Sequence, residues 1–235
     1  MEIIVLKNTP YKEKDAIIDA LTSEGAKSFL VRGLLSPKSS NIVLSNPLVI
    51  ADVEVAEGKY KHPVIKKSQV IHSPYHLDDN LRFYSVTQLI GEITLNLLQE
   101  EERGSIYEDL KRAIVALKDQ PSITSSILLI YFMRVIKQAG YSFEAQHCVN
   151  CMSKKDIVTF SFSDGGFICK NCLTEGITSR LSKDAMLSIR KAIIASDYKE
   201  IVELSDDALK ELLNELKTFV FDYLGVKITS IDLFS

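Results

Sequence analysis

The placement of the cysteines restricts this chain more than any other feature. Its 235 residues contain four, in two Cys-x-x-Cys pairs, Cys148/Cys151 and Cys169/Cys172, with seventeen residues between the pairs. Each pair turns two sulfurs towards one ion. Two pairs about 15–20 residues apart supply the corners of a tetrahedron with Zn–S distances of about 2.3 Å. Thiolates are soft donors that suit zinc better than magnesium or calcium. The sequence between the pairs reads as a hairpin, with a strand over Ile157 to Ser163, a turn at Asp164-Gly165-Gly166, and Phe167-Ile168 leading into the second pair. Four thiolates leave no position open for water. The expected role is therefore structural, one zinc ion pinning an insert over residues 146–175. An iron–sulfur centre is the competing occupant. Disulfides are disfavoured in a cytosolic chain, and a thioredoxin-like role would need one pair, not two. His147 adjoins the first ligand and is read as solvated, with a hydrogen bond to a ligand as the alternative.

The rest of the chain divides by pattern. Residues 1–75 carry short apolar runs, Ile3–Leu6, Phe29–Val31, Leu48–Val55 and Val64–Ile71, punctuated by Gly and Pro. That pattern predicts a small barrel or sandwich, with one helix around Lys14 to Thr22 and the first run stopping at Pro10. The pattern changes at Pro74. Val86, Leu89, Ile90, Ile93 and Leu97 recur at helical spacing, predicting a helix capped by Asp78 or Asp79 and running to about Glu100. Ser105 and Glu108 fit a capping box for a second helix. Pro121 opens a third, apolar nearly all round and ending at Gly140, as expected of a central core helix. Two more span residues 181–195 and 205–224, with Ser182 and Ser205 as caps and Gly225 as the stop. The predicted class is α+β: an N-terminal β-barrel domain, residues 1–77, and an α-helical domain, residues 78–235, containing the cysteine insert.

Composition is that of an ordinary globular protein, 46% hydrophobic and 25% charged. The longest apolar stretch, Ile127 to Met133, is far short of the ~20 residues that span a bilayer. The N-terminus lacks the features of a signal peptide, and a cytoplasmic location is expected. No GxxxxGK[ST], GxGxxG, GxSxG or HExxH sequence occurs, and zinc would occupy every thiol. A binding or scaffolding protein is expected rather than an enzyme.

The net charge of −3 hides an asymmetry. Residues 1–75 hold ten Lys/Arg against eight Asp/Glu, a balance of +2, and the remainder carries −5. Lys59, Lys61, Lys66 and Lys67 cluster around a predicted hairpin with Tyr60 and His62. Arg32 and Lys38 flank the segment after Gly33, and Lys7, Lys12 and Lys14 lie near Tyr11. Cations interleaved with aromatics on a small barrel suit single-stranded nucleic acid, because ammonium groups neutralise phosphates and rings stack bases. Lysines at strand ends also serve solubility and edge protection, which is the plainer reading.

The order of these features resembles one family. The resemblance is carried by Pro10-Tyr11-Lys12-Glu13-Lys14-Asp15, Leu21-Thr22-Ser23-Glu24-Gly25, Val31-Arg32-Gly33 and Pro37-Lys38-Ser39. They continue with Cys148-x-x-Cys151, Phe160-Ser161-Phe162-Ser163, Gly165-Gly166-Phe167-Ile168-Cys169, Asn171-Cys172, and the terminal Ser230 and Phe234. Over the whole chain this is similar to the bacterial recombination mediators of the RecO family. The resemblance implies an OB-fold N-terminal domain and a helical domain with a zinc motif. It implies binding of single- and double-stranded DNA and annealing of complementary strands, without enzymatic activity. It also implies partnership with RecR, in some members RecF, and with the acidic tail of single-strand DNA-binding protein, so that RecA is loaded on coated DNA. The tail is expected in an apolar groove rimmed by Lys or Arg on the helical domain. Arg32 and Lys38 are carried over as DNA contacts. Where relatives carry extra arginines, this chain has Leu34-Leu35-Ser36-Pro37, which shifts the expected contacts towards Lys59, Lys61, Lys66 and Lys67. The competing reading is a zinc-stabilised adaptor whose OB-like domain binds protein or RNA.

Overall fold

Short apolar runs that bury into one core and ladder with their neighbours make strands of most of the first third. The computed structural model describes residues 1–56, 61–76, 80–98, 103–174, 181–200 and 204–234. It separates into two compact units, Met1–Ser122 and Ile123–Ser235.

In the first unit, β1 (Glu2–Tyr11), β2 (Asp15–Thr22), β3 (Gly25–Val31), β4 (Ile50–Ala56) and β5 (Val64–His72) close into a barrel in the order β1-β2-β3-β5-β4. The hairpins β1–β2 and β2–β3 are antiparallel. Closure comes from a short parallel pairing, Leu30 with Val64 and Val31 with Ile65, while β4 pairs antiparallel with both β5 and β1. A five-stranded closed barrel is the OB-like architecture. Ile3, Val5, Ala16, Ile18, Ala20, Phe29, Val31, Val53 and Ile65 fill it, and Leu44, from a short 3-10 turn over Ile42–Ser45, adds to the same core.

The helix expected around Lys14 to Thr22 is β2 instead. Ala16, Ile18 and Ala20 are buried and alternate with half-buried Ile17 and Asp19, a period of two. Its residues tolerate a helix locally, but ladders on both sides satisfy the backbone as a strand. Pro10 does not end β1. It lies beyond the part of β1 that pairs with β4, where a residue without an N–H is tolerated.

Two helices complete this unit. The first, α1 (Leu81–Asn96), is capped by Asn80, whose side chain accepts from the Phe83 amide at 3.0 Å. Asp78, Asp79 and Glu100 lie outside the described residues. Added to Gly91 of α1, a Cβ would stand 2.5 Å from the Leu6 carbonyl oxygen, so the helix rests directly on the β1 backbone. The second, α2 (Tyr107–Asp119), starts later than the capping box implied: a 3-10 turn over Arg103–Ile106 leads in, and no side chain caps it. Glu108 and Asp109 in its first turn complement the helix dipole. The Tyr107 hydroxyl and Lys111 Nζ, the latter at 2.8 Å, both donate to Glu2 of β1.

The second unit holds α3 (Thr124–Gln138), α4 (Lys183–Ile194) and α5 (Asp206–Leu224), with α3 buried almost all round as its composition predicts. Ser182 and Ser205 accept from the amides of Ala185 and Ala208, each at 3.2 Å, and Gly225 ends α5. Between α3 and α4, β6 (Glu144–Cys148), β7 (Ile157–Ser161) and β8 (Gly166–Cys169) form a sheet in the order β6-β8-β7. Among the described residues no single helix is long and apolar enough to cross a membrane.

Candidate metal centre and candidate nucleic-acid interface

The sheet explains how cysteines distant in sequence converge. Cys148 ends β6 and Cys169 ends β8, and these strands are parallel neighbours, with Cys148 paired to Phe167. The Cys148 amide donates to the Ser153 carbonyl at 2.8 Å, and the Met152 amide to the Cys148 carbonyl at 2.9 Å, which folds the first knuckle back. Met152 takes a left-handed φ of 61° to do so. Lys170 N–H donates to the Asp156 carbonyl at 2.8 Å and ties the second knuckle to the loop after the first. At Gly166 (φ 155°) a Cβ would stand 2.5 Å from the Glu144 carbonyl oxygen, so β6 and β8 approach this closely only with glycine there.

The four sulfurs lie within 4.8 Å of one another, and Cys151 and Cys169 are 3.6 Å apart. Sulfurs at tetrahedral corners 2.3 Å from one ion would stand about 3.8 Å apart, so the cluster fits that site with little movement. Its acidities point the same way. Burial pushes the Cys148 thiol up, but backbone amides of Cys169, Asn150 and Cys151 around its sulfur outweigh this and hold it at about 6. Cys172 is pushed up to about 12, first by the Cys151 and Cys169 thiols beside it. Four sulfurs at ligand spacing release a first proton easily and resist the last; a divalent cation removes that conflict. Cys148 and Cys169 are 0% and 2% exposed, while Cys151 is exposed and Cys172 half-buried. The Nδ1 of His147 lies 3.5 Å from Glu144 Oε1 and is half-buried, so this ring faces a carboxylate rather than open water.

Sequence reading missed what anchors the insert. Phe143, Phe160, Phe162 and Phe167 pack edge to face, with centroids 4.9–5.7 Å apart. Phe219 of α5 joins them, 5.5 Å from Phe143 and 5.8 Å from Phe162. The insert therefore shares an aromatic core with α5 instead of depending on metal alone. The Phe-x-Phe spacing of Phe160, on β7, and Phe162, just beyond its end, was the available signal, because positions two apart in extended chain share a side.

On the barrel, the register distributes the candidate DNA contacts. Arg32 and Lys66 each follow the Val31–Ile65 pair by one residue on neighbouring strand segments, and both are exposed. Lys67 pairs across to Glu54, with its Nζ 3.8 Å from the carboxylate. A bulge skips Lys66 in that ladder, so two consecutive lysines both reach the surface. Lys38, in the loop after Gly33, and Lys61, before β5, are exposed, and Lys59 lies outside the described residues. Tyr11, Lys12 and Lys14, grouped already by sequence, lie at the β1–β2 turn. The β1–β2 turn spans residues 12–14, and the β2–β3 ladder continued one step beyond Ala16–Val31 sets Asp15 opposite Arg32. Gly33 N–H donates to Asp15 Oδ1 at 2.8 Å and Leu35 N–H to the Lys14 carbonyl at 3.0 Å, which fastens this turn to the loop after β3. Elsewhere β2 and β3 are not cationic: Asp19 accepts from Ser28 at 2.6 Å, and Lys27 is paired with Glu24 at 2.5 Å.

Comparison with known proteins agrees with this architecture. The family model "Recombination protein O N terminal" matches residues 1–74, and "Recombination protein O C terminal" matches residues 79–231. The chain is similar to the DNA repair protein RecO of Thermoanaerobacter sp. (strain X514), 24% identical over 98% of this chain and 94% of the relative. It is similar also to the DNA repair protein RecO of Caldicellulosiruptor bescii, 29% identical over 94% and 89% of the two chains. A third, from Syntrophomonas wolfei, is 27% identical over 89% and 84%. With both models matched in order along a barrel and a cysteine-bearing helical unit, the chain belongs to the RecO family.

Proposed function

We propose that this protein is a DNA repair and recombination mediator that works by binding, without catalysis of its own. The observation that carries the reading is an OB-like barrel whose pairing gathers Arg32, Lys66, Lys12 and Lys14 about one end. Complementary strands repel through their phosphates. Cations that contact both screen that repulsion and raise their local concentration, so annealing proceeds without nucleotide hydrolysis. Single- and double-stranded DNA are the ligands. RecR, joined in some family members by RecF, and the tail of single-strand DNA-binding protein are the partners through which RecA is loaded in the cytoplasm, and residues 1–77 and 78–235 are the DNA-binding and helical domains. One zinc ion on Cys148, Cys151, Cys169 and Cys172 has a structural role.

Annealing and equilibrium binding, measured from low to high salt with zinc content on the same sample, test this. Each phosphate contact contributes about 0.7 to the slope of log K against log salt for a single strand. Arg32→Gln and Lys66→Gln should each lower that slope by about this amount. Affinity indifferent to salt would favour instead an adaptor for protein or RNA, a reading to which the non-cationic outer face of β2–β3 lends support.

A further inference from the structure

Tyr11 is the last residue of β1, opposite Asp15, at the foot of the 12–14 turn. The residue is 42% exposed although most large apolar side chains of β1 are buried. Lys12, held at a left-handed φ of 57°, brings its Nζ to 5.3 Å from the Tyr11 ring centroid. Leu35, 38% exposed, lies on the loop that hydrogen-bonds to this same turn. The end of the barrel thus offers phosphate-binding cations and also a partly exposed aromatic ring with a flexible lysine over one face, beside a loop fixed by hydrogen bonds. Cations alone do not distinguish single from double strands. A flat ring does, because a duplex keeps its bases stacked inside while a single strand has faces free to stack.

We propose that Tyr11 is a stacking platform for an unpaired base and that this end of the barrel thereby prefers single-stranded DNA to duplex. The proposal rests on the DNA-binding reading above and assigns that site its strand preference.

The test uses the full chain, as wild type, Tyr11→Ala and Tyr11→Trp, with fluorescence anisotropy at fixed salt. The probes are a single-stranded oligonucleotide, the same length bearing abasic sugars, and a duplex. Alanine should weaken single-strand binding by roughly 5- to 150-fold, the range of one lost base–aromatic stack. Duplex affinity should stay within about twofold, tryptophan should restore single-strand binding, and the wild type should bind the abasic strand as weakly as Tyr11→Ala binds the intact one. Equal single-strand affinity for Tyr11→Ala and wild type, or equal loss on single strand and duplex, would overturn the platform while leaving DNA binding intact. Wild-type protein that bound none of the probes would remove the parent reading and the platform together.

Discussion

Gly91→Ala sets two known effects against each other, and the geometry decides between them. Alanine is the better helix former by about 0.8–1.0 kcal/mol, so α1 considered alone should gain. The new Cβ, however, would stand 2.5 Å from the Leu6 carbonyl oxygen, where ordinary contact begins at 3.4 Å, a shortfall of 0.9 Å (3.4 − 2.5). The obstacle is backbone, which cannot rotate aside, and Leu6 lies at the β1 bulge between Val5 and Lys7, its side chain buried. Overpacking of this kind costs about 1–3 kcal/mol. In the middle of the range the clash outweighs the propensity gain, leaving a net loss of about 1 kcal/mol. For a chain of this size that lowers the melting midpoint by about 2–4 °C. Thermal unfolding followed by circular dichroism, with urea titration on the same variant, reads it directly. A midpoint equal to or above wild type would show that α1 is not pressed on β1 as described.

Other outcomes follow from the same structure. Chelating the metal should increase amide exchange over residues 144–174 while the helical circular dichroism persists, because Phe219 still holds the aromatic cluster. Zinc uptake should weaken as pH falls from 8 to 6, with protons released on binding, since Cys172, pushed up to about 12, must ionise to ligate; competition with a chromogenic chelator measures both. Phe219→Ala should cost about 3–5 kcal/mol in urea unfolding through loss of the ring shared by α5 and the insert. Glu2 is held below the ordinary 4.5 first by its hydrogen bond from Lys111, then by that from Tyr107. Its stabilisation is present above 4.5 and is lost as pH falls through the lowered value. Glu2→Gln should therefore destabilise by about 1 kcal/mol at pH 7, less than a fully buried charged bond because the pair is one-third exposed, and the difference should vanish in acid.

What the sequence revealed depended on the range of the interaction involved. The four cysteines were legible because ligand spacing is local within each knuckle, and α4 and α5 were legible because Ser182, Ser205 and Gly225 act on their own backbone neighbours. The β2 segment was misread because Asp15–Thr22 is indifferent locally and is made a strand by partners on both sides. The shared exposure of Lys66 and Lys67 was invisible for a related reason: it depends on a bulge against Glu54 and Val55. The grouping of Arg32 with Lys66, and of Lys12 and Lys14 with the loop after β3, exists only once the ladders are in register. Phe219 as anchor of the insert was hidden by its distance of 57 positions from Phe162 (219 − 162).

The parallel contact that shuts the barrel joins Val31 to Ile65, 34 positions apart in the chain (65 − 31). During synthesis the first three strands emerge as a meander with one flank of β3 unbonded, and only after some thirty more residues does the segment that caps this flank exist. Such late, non-local closure is slow and leaves a sticky border on the nascent chain. Crowded ribosomes and elevated expression temperature should therefore penalise the amino-terminal module first, with its incomplete meander as the species that associates with itself.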